Sequence, residues 1–166
     1  MNKYLISLAT AALLFVSNLA GATDDFKGQA RAEQFTVGAL TGLAIIDSRA
    51  AFPIIGTLGR KIFNAGFVAD INNSVWIEGA FGPAFLEGSS VFLYGVHLRW
   101  DFEKDTQWTF FALGGFAGNI AGSKLGDRTE FYPRFGVGAL WRLDERFAIR
   151  GEVSHEWSVA GVEFEF

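Results

Sequence analysis

Apolar and polar residues alternate along most of this chain, in runs long enough to be β-strands. The clearest run covers 92–102, where every second position is aromatic or aliphatic and the positions between include His97, Arg99 and Asp101. Because successive side chains of a strand point to opposite faces, this run predicts a strand with one apolar and one polar face. The residues of 159–166 alternate in the same way and end on Phe166.

Turn-forming residues divide the chain into eight such runs, which predict eight antiparallel strands joined by hairpins. The predicted strands cover 35–46, 54–71, 75–86, 91–102, 107–120, 130–143, 146–157 and 159–166. The breaks alternate between two ends of the sheet. One set falls at 72–74, 103–106 and 144–145, and the other at 47–53, 87–90, 121–129 and a very tight link near Ser158.

The first 22 residues have the pattern of an export signal. Lys3 precedes an apolar stretch over 5–16, and Ala20-Gly21-Ala22 is a suitable cleavage site. The stretch is too short to span a bilayer as a helix, which needs roughly 20 apolar residues. We therefore predict a cleaved signal peptide over 1–22, a periplasmic lead-in over 23–34 and one domain over 35–166.

The composition changes the interpretation of the strands. Hydrophobic residues make up 50% of the chain, yet alternation breaks them up and no later segment is a long continuous apolar run. In lipid, only helices and closed barrels satisfy every backbone polar group. We predict an all-β fold, an eight-stranded antiparallel transmembrane β-barrel in a bacterial outer membrane, with short periplasmic turns and a side-chain-filled interior.

Charge and cysteine content exclude several other classes of function. The formal net charge is −4, which gives no reason to expect nucleic-acid binding. The chain has no cysteine, so it has no disulfide, thiol nucleophile or thiolate metal site. His97 and His155 are its only histidines, and neither has a neighbouring ligand pattern. We predict no metal and no cofactor.

A soluble lipocalin-like barrel or β-sandwich would show the same alternation with its faces exchanged, aromatic side chains inside and charges outside. The export signal, the terminal Phe166 and the aromatic residues near strand ends favour the membrane. We expect a periplasmic aromatic girdle formed by Trp100, Phe102, Trp108, Trp141, Phe147 and Phe166. An outer girdle would contain Phe85, Phe92, Tyr94, Phe131 and Trp157.

The segment Phe135-Gly136-Val137-Gly138-Ala139, followed by Trp141-Arg142-Leu143, resembles recurrent pieces of small eight-stranded outer-membrane barrels. That group contains the OmpA transmembrane domain, OmpX and Ail, and the resemblance covers about 35–166. It rests on architecture, and it implies the fold. It implies no single activity, because such barrels include adhesins, enzymes and structural proteins.

The inner face of the predicted barrel is rich in charge. Its basic members are Arg60, Arg99, Arg134, Arg142 and Arg150; its acidic members are Asp70, Glu78, Asp101, Glu152, Glu156, Glu163 and Glu165. We expect a salt-bridged lumen network of Glu78, His97, Arg99, Arg150, Glu152 and Glu163. Depth along the strands predicts that Arg150 lies beside Glu163 and Glu78 beside Arg99. Lys61 is the exception, and we expect it to face lipid in the outer leaflet and snorkel.

The segment His155-Glu156-Trp157-Ser158 suggests an enzymatic alternative. It resembles, more weakly, the His-x-Ser-Asn motif of PagL-like lipid A deacylases. That resemblance implies His155 as base, Ser158 as nucleophile and Glu163 as the acidic partner. Here two residues separate the histidine from the serine, and Val159 replaces the asparagine. In a strand, positions 155 and 158 point to opposite faces unless a turn intervenes.

We favour an integral outer-membrane barrel with a structural or surface-interaction role that is not an open porin. The alternatives are a lipid A deacylase using His155 and Ser158, and a narrow ion channel. The expected partners are outer-membrane lipid, lipopolysaccharide and the barrel-assembly machinery, which would recognise the C-terminal strand ending at Phe166. An extracellular partner would bind through 47–53 and 121–129.

Overall fold

The computed structural model describes residues 31–68, 71–122 and 128–166. Its strands are β1 (Phe35–Ile46), β2 (Arg49–Phe63), β3 (Asn73–Leu86), β4 (Ser89–Glu103), β5 (Trp108–Ala121), β6 (Thr129–Arg142), β7 (Phe147–Ser154) and β8 (Trp157–Glu165). Each strand pairs with the next in antiparallel register, and β8 pairs with β1 to close a barrel. The predicted fold class is confirmed. In this part of the chain, no helix is long and apolar enough to cross a membrane.

The turns define two rims. The terminal rim carries both chain ends of the barrel, where the N–H groups of Gln34 and Phe35 donate to the Phe166 carbonyl. Two of its turns are closed alike, since Oδ1 of Asp105 and of Asp144 each accepts two following backbone N–H groups. The distal rim carries two-residue turns at 47–48, 87–88 and 155–156 and the longer connection between β5 and β6.

The prediction of an outer loop over 47–53 is wrong, because all but two of these residues belong to β2. Asp47 and Ser48 adopt positive φ angles of 52° and 62°, which is the geometry of a tight hairpin. Pro53 had indicated a break, but it lies where the β1–β2 ladder is interrupted between Thr41↔Ile54 and Ala44↔Ala51. A proline is tolerated there because its missing N–H breaks no ladder hydrogen bond.

The orientation of β2 also differs from the prediction. Lys61 is buried inside the barrel, where its Nζ donates to the Arg31 carbonyl at 2.8 Å, and Arg60 is exposed on the outside. Apolar residues occupy both alternating sets of this strand, Ile54 and Leu58 in one and Ile55 in the other. Alternation therefore could not decide the face, and pairing with the neighbouring strands decides it.

The other predicted faces agree with the structure in β4, β6 and β8. Large apolar side chains cover the outside, for example Phe92, Val96, Phe135, Trp141 and Val162. Charged side chains point inward, and an apolar cluster fills the interior toward the distal rim. That cluster contains Leu40, Ala44, Ile46, Ala51, Ile55, Ala80, Ala84, Leu86, Val91, Leu93, Ala121, Trp157 and Val159. This polarity is the reverse of the soluble alternative.

Trp157 was wrongly predicted to face outward. The turn between β7 and β8 lies at 155–156 instead of near Ser158, so β8 begins at Trp157. Trp157 therefore shares the inner face of β8 with Val159 and Glu163 and is only 4% exposed.

Candidate functional site: a buried ionic network and a distal cup

The centre of the barrel is organised around the carboxylate of Glu78. Its oxygens accept hydrogen bonds from His97 Nε2 at 2.8 Å, from Arg99 at 2.8 Å and from both terminal nitrogens of Arg150 at 2.7 and 2.8 Å. All four side chains are fully buried. Charge-assisted hydrogen bonds of this kind are roughly twice as strong as neutral ones.

Glu163 provides a second centre next to Glu78. It accepts hydrogen bonds from Arg99 at 2.9 Å and from Arg150 at 2.8 Å. Arg99 also donates to Asp101 at 2.9 and 3.1 Å. Arg99 and Arg150 therefore each bridge Glu78 and Glu163, and these four groups form a closed cluster.

This cluster crosses the barrel. Glu78 on β3 bonds to Arg150 on β7, and Arg99 on β4 bonds to Glu163 on β8. None of these strands is adjacent to its partner in the ladder. The ionic bonds therefore link opposite walls that share no backbone hydrogen bonds.

A further layer lies on the distal side of the cluster. Glu152 accepts hydrogen bonds from Arg134, from Arg150 at 2.7 Å and from the Trp157 indole at 2.8 Å. The Arg134 guanidinium also stacks 4.1 Å from the Trp157 ring centroid. His97 connects the two layers, since its Nδ1 lies 3.3 Å from Arg134 and its Nε2 faces Glu78. A neutral imidazole with its proton on Nε2 satisfies both partners.

Ion pairs also close the terminal end. Arg142 donates to Glu165 at 2.9 Å and to the Thr109 hydroxyl, and Arg31 lies 3.4 Å from Glu103. Lys61 packs 4.9 Å from the Trp76 ring centroid. Oppositely charged residues therefore face one another along the interior from the terminal rim to Trp157, and eight strands leave an interior just wide enough for side chains.

The structure thus brings together all six residues predicted for the lumen network, Glu78, His97, Arg99, Arg150, Glu152 and Glu163. Arg134, Arg142, Asp101, Glu156 and Glu165 also point inward. Arg60 does not, and Lys61 takes an inner position instead. Asp70, the signal 1–22, most of the lead-in and residues 123–127 lie outside the described residues.

A cavity of about 160 Å³ lies at the distal end of the interior, and we call it the distal cup. It is lined by Ala44, Ile45, Ile46, Asp47, Leu93, Asn119, Glu130, Tyr132, His155, Glu156 and Trp157. Asn119 and Tyr132 are not among the site residues predicted from the sequence. The available signal was their shared inward parity near the distal ends of β5 and β6.

Glu156 is a buried carboxyl group at the edge of the cup. It lies in the 155–156 turn, 3.1 Å from Arg134 Nε and 3.3 Å from His155 Nε2. Burial raises the pKa of its carboxyl from 4.5 to about 7, although the Arg134 charge opposes that change. Across the rim, a hydrogen bond from Arg128 lowers the pKa of Asp47.

The residues of the enzymatic alternative are distributed over different surfaces. His155 is half exposed at the distal rim and contacts Glu156 and the Tyr132 ring. Ser158 faces outward from β8, whereas Glu163 is fully buried in the central cluster. Ser158 and Glu163 are five positions apart along β8, which is about 16 Å. Among the described residues, no group of histidine, aspartate and glutamate is arranged to hold a metal ion.

Comparisons with known proteins identify the fold. No family model and no curated protein matches the chain. The N-terminal β-barrel domain of Pseudomonas aeruginosa OprF is similar at 14% identity and a TM-score of 0.59, over 81% of this chain and 98% of that one. Ail of Yersinia pestis, in complex with the heparin analogue sucrose octasulfate, is similar at 14% identity and a TM-score of 0.55, over 81% and 97%. A de novo designed transmembrane β-barrel is similar at 14% identity and a TM-score of 0.56, over 81% of this chain and 96% of that one. The chain therefore has the fold of eight-stranded transmembrane barrels.

Replacing the central carboxylate tests the ionic network. We expect Glu78→Gln to lower the free energy of unfolding by about 3–5 kcal/mol, because it leaves Arg99 and Arg150 short of a buried counter-charge without opening a cavity. The measurement is urea unfolding in lipid vesicles, followed by tryptophan fluorescence. Glu145→Gln, at an exposed position of the terminal rim, is the matched control and should change stability by less than about 0.5 kcal/mol. Equal unfolding midpoints for the two variants would contradict the network.

The raised pKa of Glu156 predicts a pH dependence. Between pH 4.5 and about 7, the Glu156 carboxyl is mostly protonated in the folded state and mostly ionised in the unfolded state. This group therefore lowers the free energy of unfolding as the pH rises through that window, by at most about 3 kcal/mol. Glu156→Gln should remove that part of the pH dependence, whereas Glu87→Gln, at an exposed position of the same rim, should leave it unchanged. Parallel stability curves for wild type and Glu156→Gln between pH 5 and 8 would refute the assignment.

Proposed function

We propose that this protein is an integral β-barrel of a bacterial outer membrane with a structural or surface-interaction role and an interior closed by ion pairs. The observation that carries the proposal is the inverted polarity of the barrel. Arg99, Arg150 and Glu78 are fully buried, while large apolar side chains such as Val96 and Phe135 cover the outside. A wall of this kind is stable only when something other than water covers it.

Strand length supports a membrane-spanning barrel. A tilted transmembrane strand needs about 9–11 residues, and β1 to β6 contain 12 to 15. The export signal predicted over 1–22 and the fold shared with OprF and Ail support the outer membrane. We infer that the terminal rim faces the periplasm and the distal rim faces outward.

Aromatic pairs at the terminal rim support a periplasmic girdle. Ring centroids lie 5.9 Å apart for Phe35 and Phe166, 6.1 Å for Trp108 and Trp141, and 4.5 Å for Trp100 and Phe102. Aromatic side chains favour the polar–apolar boundary of a bilayer. We propose that they contact lipid there and that the barrel-assembly machinery recognises the strand ending at Phe166.

A surface role would involve the distal rim. The predicted contact surfaces are 47–53 and 121–129. At 47–53 the structure has only a two-residue turn, and an ion pair between Asp47 and Arg128 links this turn to the start of β6. We propose that outer-membrane lipid and lipopolysaccharide surround the barrel and that any extracellular partner meets this compact rim.

The two alternatives have less support. A deacylase needs a nucleophile held by the base, and among the described residues no hydrogen bond joins His155 to Ser158. A narrow ion channel needs a water path past Arg99 and Arg150, whose guanidinium groups are bonded to carboxylates on opposite walls.

A charge placed on the outer wall tests the proposal. Val96 lies at the middle of β4 and is 57% exposed, and Leu143 is 59% exposed at the terminal rim. In lipid vesicles, Val96→Arg should lower the free energy of unfolding by about 2–4 kcal/mol, and Leu143→Arg by no more than about 1 kcal/mol. The measurement is urea unfolding of the refolded full chain.

The depth dependence is the decisive feature of that comparison. A water-exposed wall would accept arginine equally well at both positions, so equal and small effects would exclude a lipid-facing surface.

Expression in a Gram-negative host tests which membrane holds the barrel. Wild type should fractionate with the outer membrane, and recovery in the soluble periplasmic fraction would contradict the proposed location.

A further inference from the structure

We propose that the distal cup binds a small organic cation, a primary ammonium carried on a compact apolar stem, taken from the water outside the barrel. Neither the fold nor the proposed structural role requires such a site. The proposal rests on buried hydrogen-bond acceptors, on the charge of the cup, on its apolar wall and on its position.

Two buried side chains that line the cup have oxygens that accept no hydrogen bond. Asn119 is 3% exposed; its Nδ2 donates to Glu130 at 2.8 Å, while its Oδ1 accepts no hydrogen bond. Glu156 is 8% exposed, and its two oxygens form ion pairs with Arg134 and His155 at 3.1 and 3.3 Å without accepting a hydrogen bond. A buried acceptor left unpaired is costly, so a ligand that donates to Asn119 Oδ1 removes that cost. An ammonium group has three donors and no acceptor.

The charge around the cup favours a cation over an anion. The charged side chains that line the cup are the carboxylates of Asp47, Glu130 and Glu156 beside the imidazole of His155, and no described lysine or arginine lines it. Arg128 is held by Asp47 and lies 3.4 Å from Glu130, and Arg134 also pairs with Glu152 below the cup. The apolar residues that also line the cup favour an organic cation.

The wall of the cup selects the stem. Ala44, Ile46, Leu93 and the rings of Tyr132 and Trp157 provide its apolar lining. Its volume of about 160 Å³ is close to the roughly 150 Å³ of a protein cavity that binds benzene. Aromatic faces also attract a cation directly. A ring or short branched chain of about that size, bearing one ammonium, fits these features.

The position of the cup determines where the ligand comes from. Leu93 and Asn119 point into the barrel, and the cup lies at the distal mouth of the interior. A water-borne molecule reaches this mouth without crossing the lipid-facing wall. An ammonium headgroup of a membrane lipid has the same chemistry, and the experiment therefore distinguishes the two sources.

The test is a titration of the folded full chain in maltoside detergent with benzylammonium chloride, followed by isothermal titration calorimetry. For a ligand of this size we expect a Kd of about 1 mM. Benzyl alcohol is neutral and benzoate is an anion, and both have nearly the shape of benzylammonium. Each should bind at least about tenfold more weakly. Equal affinity for benzylammonium and benzyl alcohol, or no binding of benzylammonium, would overturn the proposal.

Variants locate the site. Glu156→Gln should weaken benzylammonium binding about tenfold, and Glu87→Gln, a charge change elsewhere on the same rim, should change it by less than about twofold. Glu130→Gln, at a half-exposed position, should weaken binding about threefold, and it keeps the test decisive if Glu156→Gln fails to fold. Unchanged affinity in the folded Glu156→Gln or Glu130→Gln protein would contradict the assignment.

A comparison of nanodiscs distinguishes the ligand sources. The benzylammonium Kd should be the same in phosphatidylcholine and in phosphatidylethanolamine nanodiscs if the site faces water alone. A weaker apparent affinity in phosphatidylethanolamine would mean that a lipid headgroup occupies the cup, and it would overturn a water-borne ligand. Because the detergent titration needs only the folded barrel, its outcome is independent of the membrane in which the protein functions.

Discussion

The structure depends on the pairing of charges inside a barrel too narrow to hold bulk water. Once the apolar faces of the strands point outward, the opposite faces must point inward, and these carry arginine and glutamate. A buried charge is tolerated only when it is paired and hydrogen-bonded. The bonds of Glu78 and Glu163 to Arg99 and Arg150 meet that requirement.

We infer that these pairs contribute more to specificity than to stability. A well-packed apolar core is often as stable as a buried ion-pair network, but a network accepts far fewer arrangements. A slip of one residue in any strand would move its charges to the lipid-facing side and its apolar residues inward. The outer wall and the inner network therefore enforce the same register. The bonds between β3 and β7 and between β4 and β8 extend that constraint across the barrel.

Most of the fold could be predicted from the sequence because the alternation is clean in β4, β6 and β8. The prediction of inner and outer faces failed in β2, because apolar residues occupy both faces of this strand. Only its pairing with β1 and β3 fixes the orientation of Lys61. The prediction failed again at Trp157, because a turn placed a few residues too late leaves the start of β8 assigned to the end of β7.

The candidate sites were accessible to different degrees. Depth along adjacent strands was enough to place Arg150 beside Glu163. Contacts across the barrel, such as that between Glu78 and Arg150, depend on closure and shear and have no counterpart in local sequence. The distal cup depends on the same closure, because Asn119 and Glu156 come from strands and turns that meet only in the closed barrel.

Ion pairs occupy the centre and the terminal end of the interior while the apolar surface contacts lipid, and the five tryptophans allow a direct measurement of which side chains face lipid. Trp76 and Trp157 are each 4% exposed and lie inside, whereas Trp108 and Trp141 lie outside. Single-tryptophan variants in vesicles of brominated phospholipid report contact with acyl chains through fluorescence quenching. Strong quenching of Trp108 and Trp141 with little quenching of Trp76 and Trp157 is the predicted result. Equal quenching at all four positions, or the reverse order, would contradict it.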